Sequence, residues 1–130
     1  VTEQRTDRTG APVHVALDAT RGISAYTVSL DDGTLAGRAD FVDPPEAAGE
    51  RIFFHTEIAE EFGGRGLAGL LVREALAESI REDLTVVPVC PVFAKHLDKH
   101  GEDYKADGGR FRRPRPADLA AVKQATEGGA

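Results

Sequence analysis

The 130-residue sequence has one cysteine, Cys90, so no internal disulfide framework is possible. A lone thiol fits a reducing compartment, and the cytoplasm is the expected location. No apolar run approaches the length of a membrane span, and no signal peptide is expected. Basic charge is in deficit. The formal charge of −6 argues against general nucleic-acid binding, because neutralising phosphates needs a basic surface. Metal-ligand spacing is also missing: His14, His96 and His100 do not combine with Cys90 into a zinc pattern, and no metal is expected. What remains is ordinary for a single soluble globular domain, with 41% apolar and 29% charged residues.

Three regions are expected. Residues 1–11 are polar, with little to bury, and read as a flexible arm. Residues 12–107 carry the domain. Residues 108–130 form a basic tail with Arg110, Arg112, Arg113 and Arg115, followed by a short helix over residues 116–124. Such a cluster either contacts a phosphate or is a solvated tail.

Within the domain, residues 13–17, 22–30 and 34–42 read as strands. Asp32-Gly33 marks a tight hairpin between the last two, because glycine accepts positive φ. Residues 43–49 form a loop and residues 51–59 the next strand. Residues 65–81 repeat with helical period, with Ala68, Val72, Ala75, Leu76, Ser79 and Ile80 on one stripe and Leu67 and Leu71 beside it. Residues 84–89 make a further strand and residues 92–100 a helix. An antiparallel meander followed by strand–helix–strand–helix predicts an α+β (mixed α/β) domain with one mixed sheet.

The turn Gly63-Gly64-Arg65-Gly66 lies where a strand passes into the long helix. A helix start leaves amide N–H groups without partners and carries partial positive charge. Glycines let the backbone curl around an anion, so a diphosphate suits the turn, with Arg65 adding charge. An ordinary tight turn is the alternative. No Gly-Lys-Ser/Thr follows, which excludes a P-loop. Gly64, Gly66 and Gly69 match the bare Gly-x-Gly-x-x-Gly spacing. The next strand nevertheless ends in Pro88-Val89-Cys90, without the acidic residue that would hold a ribose.

The segment from His55 to Ala68 (His-Thr-Glu-Ile-Ala-Glu-Glu-Phe-Gly-Gly-Arg-Gly-Leu-Ala) resembles the central motif of the GNAT N-acetyltransferase family, Arg/Gln-x-x-Gly-x-Gly/Ala. Glu61 stands where that motif usually has Arg or Gln. Downstream, Pro88-Val89-Cys90 and then His100 to Tyr104 are similar to the minimal single-domain acetyltransferase-like subfamily. The resemblance implies a GNAT-like fold whose two parallel strands splay apart at a coenzyme A site. Glu57 and Ile58 would hold the pantetheine, and Gly63, Gly64, Arg65, Gly66 and Leu67 the pyrophosphate. Acetyl-CoA would be the cosubstrate.

Acetyl transfer to an amine needs a neutral nucleophile, a polarised thioester carbonyl and a proton for the departing thiolate. Strand alternation predicts Phe53, His55, Glu57 and Ala59 on one face. His55 is the better base on chemical grounds, with Glu57 orienting it or acting itself. Either can instead be an ordinary strand residue. Cys90, at a strand end, can carry the acetyl group covalently if the following helix N-terminus or His55 favours its thiolate, or it can be a packed thiol. Tyr104 is a candidate acid for the leaving thiolate, or a packing residue.

The expected function is therefore acetyl-CoA-dependent transfer to an unidentified amine, directly or through Cys90. A non-catalytic acyl-CoA-binding or sensing module is the alternative, and an interaction domain with a structural glycine turn is a third. Neither the acceptor nor the oligomeric state is legible.

Overall fold

The structure is a computed structural model, and it describes residues 3–18, 23–44 and 47–128. The first two residues of the expected arm, Gly22 at the start of an expected strand, Pro45 and Glu46 in the expected loop, and the last two residues of the tail lie outside these.

Five strands form the antiparallel meander: β1 (Glu3–Thr6), β2 (Pro12–Asp18), β3 (Ser24–Leu30), β4 (Leu35–Val42) and β5 (Glu50–Ile58). Helix α1 (Leu67–Arg81) leads to β6 (Thr85–Pro88), which lies parallel to β5. Helix α2 (Pro91–Ala106) leads to β7 (Arg110–Phe111), parallel to β6. Helix α3 (Pro116–Gly128) follows. Among the described residues, the seven strands of this mixed sheet lie side by side in chain order.

The hairpin between β3 and β4 forms as its sequence predicts. Gly33 takes φ 92°, the Leu30 and Thr34 main chains bond across the loop, and Asp32 accepts from the Thr34 N–H at 2.9 Å. Helix α1 buries Leu67, Leu70, Leu71, Val72, Ala75, Leu76 and Ser79. Leu70 joins this face beyond the expected stripe, while Ala68 and Ile80 sit at its half-buried edges. The Ser79 hydroxyl is satisfied within the helix by Ala75 O at 2.9 Å. From α2, Phe93 and Leu97 close the core, and the Phe93 ring stacks on Phe53 at 4.3 Å between centroids. Each such side chain contributes about 1.5–3 kcal/mol on burial.

Strand β5 does not alternate simply. Phe53 pairs with Phe41, but the neighbouring Asp40 pairs with His55, so Phe54 is an extra residue in β5, a β-bulge. Before the bulge, Phe53 faces α1 and α2. After it, Thr56 and Ile58 take that face, and His55 and Glu57 point the other way, exposed. The expected grouping of Phe53 with His55 and Glu57 is therefore corrected, because one inserted residue reverses the period-two pattern beyond it.

Both chain ends also depart from expectation. The arm is not loose where it is described: Glu3–Thr6 pair with β2, and the turn after them docks on the glycine turn. The basic tail is not simply solvated either. Arg110 binds Asp83, and Arg112 reaches both Glu50 and Asp118 with bonds of 2.7–2.8 Å. Asp118 also accepts the Arg115 N–H at 2.7 Å, which caps the start of α3. Asp118, Ala121, Val122 and Ala125 recur at helical spacing as the less exposed face of α3. Helix α3 contacts β4 and β5. Glu50 and Ile52 alternate with Phe53, so α3 covers the sheet face opposite α1.

Candidate active site

The two central parallel strands part at the bulge. Pairing of β5 with β6 runs from Glu50↔Thr85 only to Phe53↔Pro88, whereas β5 stays paired with β4 as far as Ile58. At the fork, Phe53 O accepts the N–H groups of both Val89 and Cys90, at 3.0 and 2.9 Å. The chain then turns away into α2, with Pro91 in the first turn, where a missing N–H costs nothing. Strand β5 continues through Thr56, Glu57 and Ile58 and reaches the glycine turn by way of a 3-10 turn, Glu60–Phe62.

That turn leads straight into α1. Gly64 and Gly66 adopt φ of 80° and 77°, in the left-handed region that other residues enter only with strain. Gly66 stands at the N-cap position of α1. It offers no side-chain cap, and the first turn of the helix has no acidic residue. The N–H groups at this helix start therefore lack the side-chain acceptor that usually occupies them. Arginines gather beside them. The Arg8 side chain lies across Gly66, with its Nε 3.5 Å from where a Gly66 Cβ would be. Arg73 folds back over Gly69, its Nη1 3.1 Å from a Cβ placed there.

Arg65 does not point freely from the turn. Its Nε donates to Asp7 Oδ2 at 2.8 Å, and its Cζ lies 5.7 Å from the centre of the Phe62 ring. The Asp7 carboxylate is held down at about 2, first by the Thr9 hydroxyl, with burial opposing and the Ala11 and Thr9 amides and Arg65 assisting.

Cys90 is buried in the fork, its Sγ 3.3 Å from Thr56 Oγ1. His55 and Thr56 are successive strand residues, so His55 points to the opposite face from Cys90. The sequence-based pairing of His55 with the Cys90 thiol is thus not brought together. His55 and Glu57 do share a face. In the register they sit opposite Asp40 and Arg38, whose own side chains form a 2.6 Å ion pair. Tyr104 is committed elsewhere. Its hydroxyl donates to Leu76 O of α1 at 3.0 Å, and burial pushes its phenol up to about 12. Leu76 lies nine residues along α1 from Leu67, a rise of about 14 Å. Tyr104 therefore ties α2 to α1, thirteen residues along α2 from Pro91 at the fork, a rise of about 20 Å.

Sequence reasoning missed Thr56, the partner of Cys90, because the bulge decides which residue faces the thiol. It also missed Asp7, although Asp7-x-Thr9-Gly10 is the kind of run that forms a side-chain-capped turn.

A family model described as GCN5-related N-acetyl-transferase matches residues 25–107, more than half of the chain. The chain belongs to this family. A comparison with curated proteins gives no match. Membership carries acetyl transfer as the general function, and the mixed sheet with parted parallel strands is consistent with a GNAT-like fold. The GNAT match includes the fork, the glycine turn, Cys90 and Tyr104, but not Asp7 or Arg8. The residues present fit an acyl-coenzyme A. The helix start and left-handed glycines suit a pyrophosphate, and the β5 backbone beyond Phe53 leaves its β6-side edge for an extended amide chain.

Proposed function

We propose that this chain transfers an acetyl group directly from acetyl-CoA to an amine, and that the fork between β5 and β6 holds the thioester. The observation that carries this reading is the end of β5–β6 pairing at Phe53↔Pro88, next to a glycine turn that opens α1 without a side-chain cap. Acetyl-CoA would supply the thioester. Gly64, Gly66 and Leu67 would receive the pyrophosphate through backbone N–H groups, with positive charge from Arg8 and Arg73 nearby, while the Gly63 N–H is already given to Glu60 O. Ile58 would hold a pantetheine amide through the main chain, whereas the main-chain groups of Glu57, two residues before Ala59 with its bond to Ala36 O, are turned to β4.

The exposed face of β5 supports the acceptor side. His55 takes the amine proton as the C–N bond forms and the C–S bond breaks, and the thiolate takes a proton from solvent. Glu57 beside it attracts a cationic amine and orients the base. Direct transfer is favoured over the covalent route because Cys90 is 3% exposed, has a threonine hydroxyl as its neighbour, and faces away from His55. A thiol so placed lacks the base that activates a nucleophile.

The test is turnover with acetyl-CoA over a panel of amines, combined with intact-mass measurement. Turnover that survives in Cys90→Ala and is lost in His55→Gln is the expected result. An acetyl adduct on Cys90 that chases into product would replace direct transfer by the covalent route. Coenzyme binding without transfer to any amine would favour a sensing module.

A further inference from the structure

The hairpin turn between β1 and β2 reaches across to the glycine turn, and it lies before the residues matched by the family model. Its centre is Asp7, whose side chain is fully buried. One carboxylate oxygen accepts the Thr9 N–H at 2.8 Å, the Thr9 hydroxyl at 2.6 Å and the Ala11 N–H at 3.0 Å. The other accepts Arg65 Nε at 2.8 Å. A second tie runs through the main chain, where Arg8 N–H donates to Arg65 O at 2.9 Å. Arg65 is thus gripped at both its carbonyl and its guanidinium. It stands between Gly64 and Gly66, the two residues with left-handed φ.

Two glycines flanking one residue make a turn with many accessible conformations, and fixing it costs conformational entropy. A site ordered during folding does not meet that cost when it binds. We propose that Asp7 is a positioning residue for coenzyme binding: through Arg65 it holds the Gly64–Gly66 backbone in its anion-accepting shape. Arg65 then serves as the handle of the turn and not as a charge offered to the phosphates. This inference rests on the reading that the turn receives the coenzyme.

The experiment is isothermal titration of the full chain with coenzyme A, with amide NMR of Gly64 and Gly66 alongside. Asp7→Asn keeps an oxygen for Thr9 and Ala11 but loses the charge that holds Arg65, and Arg65→Ala removes the handle from the other side. Each is expected to raise Kd roughly tenfold, to shift or broaden the Gly64 and Gly66 amides, and to raise KM for acetyl-CoA with kcat unchanged. The double variant is expected to be no worse than either single one, because the two residues act as one unit. Arg65→Lys should restore part of the affinity. Wild-type Kd in folded Asp7→Asn and Arg65→Ala proteins would overturn the proposal and leave coenzyme binding intact. Independent, multiplying losses in the double variant would overturn action through Arg65. Should Asp7→Asn fail to fold, Arg65→Ala alone decides by its Kd. A wild-type chain that does not bind coenzyme A would remove the underlying reading and this inference with it.

Discussion

The two halves of strand β5 are built for different ends. From Glu50 to Phe53 the strand is paired with β6, is joined by β4 on its other edge at Ile52 and Phe53, and is covered on both faces. Phe53 stacks on Phe93 on one side, and Glu50 is held on the other by Arg112, which also binds Asp118. From His55 to Ile58 it keeps one neighbour, and two of its four side chains are exposed. A single extra residue, Phe54, separates the halves. The lesson is that the bulge does two jobs. It ends the pairing that would close the fork, and it turns His55 and Glu57 outward while Thr56 turns in toward Cys90.

If the first half is purely structural, damage there must appear as lost stability. Phe53→Ala is expected to cost about 3–5 kcal/mol in denaturant unfolding, since it empties the centre of the core. A cost below about 1 kcal/mol would mean that the closed half does not anchor the sheet. The second half should show the reverse pattern. His55→Gln is expected to lower kcat by about 10²–10⁴-fold, with unfolding free energy changed by less than about 0.5 kcal/mol. A large stability loss there would erase the contrast between the halves.

Arg112 sharpens the comparison through pH. Its guanidinium holds the carboxyls of Glu50 and Asp118 below their ordinary values. Both groups bind protons less tightly folded than unfolded. Their contribution is therefore complete above the unfolded values of about 4, and it is lost as pH falls through the folded ones. Arg112→Met should cost about 2 kcal/mol at neutral pH and flatten the fall in stability with acid. Asp7, held at about 2, should keep its own share of that fall in the variant. An unchanged acid limb would show that the clamp is not formed in solution. The smallest effect is expected for Cys90→Ala, about 1 kcal/mol in stability with turnover nearly unchanged. Lost turnover in a folded protein would move Cys90 from packing to chemistry.

The order of the strands from β2 to β6 and of helices α1 and α2 was legible because period-two and period-3.6 patterns repeat over many residues, whereas the two-residue β7 was not. The glycine turn was legible because glycine marks positions where the backbone must do something unusual. The faces of β5 were not, since the sequence Phe-Phe-His-Thr-Glu-Ile reads as smooth alternation and a bulge has no residue signature here. The role of residues 7–11 was hidden for another reason. Their polar side chains look solvated, yet Asp7 is buried because the turn supplies it with donors. The arginines of residues 110–115 misled in the same way. Their partners Glu50 and Asp83 are distant in sequence, and only the docking of β7 and α3 brings them together.

The most direct test of the account is amide NMR mapping of the intact chain titrated with coenzyme A. The expected result is a saturating set of shifts at Gly63, Gly64, Arg65, Gly66 and Leu67 and along Thr56 to Ile58, with Tyr104 and Arg112 unmoved. Shifts absent from the glycine turn at millimolar coenzyme A, or confined to the half of β5 before Phe54, would contradict it.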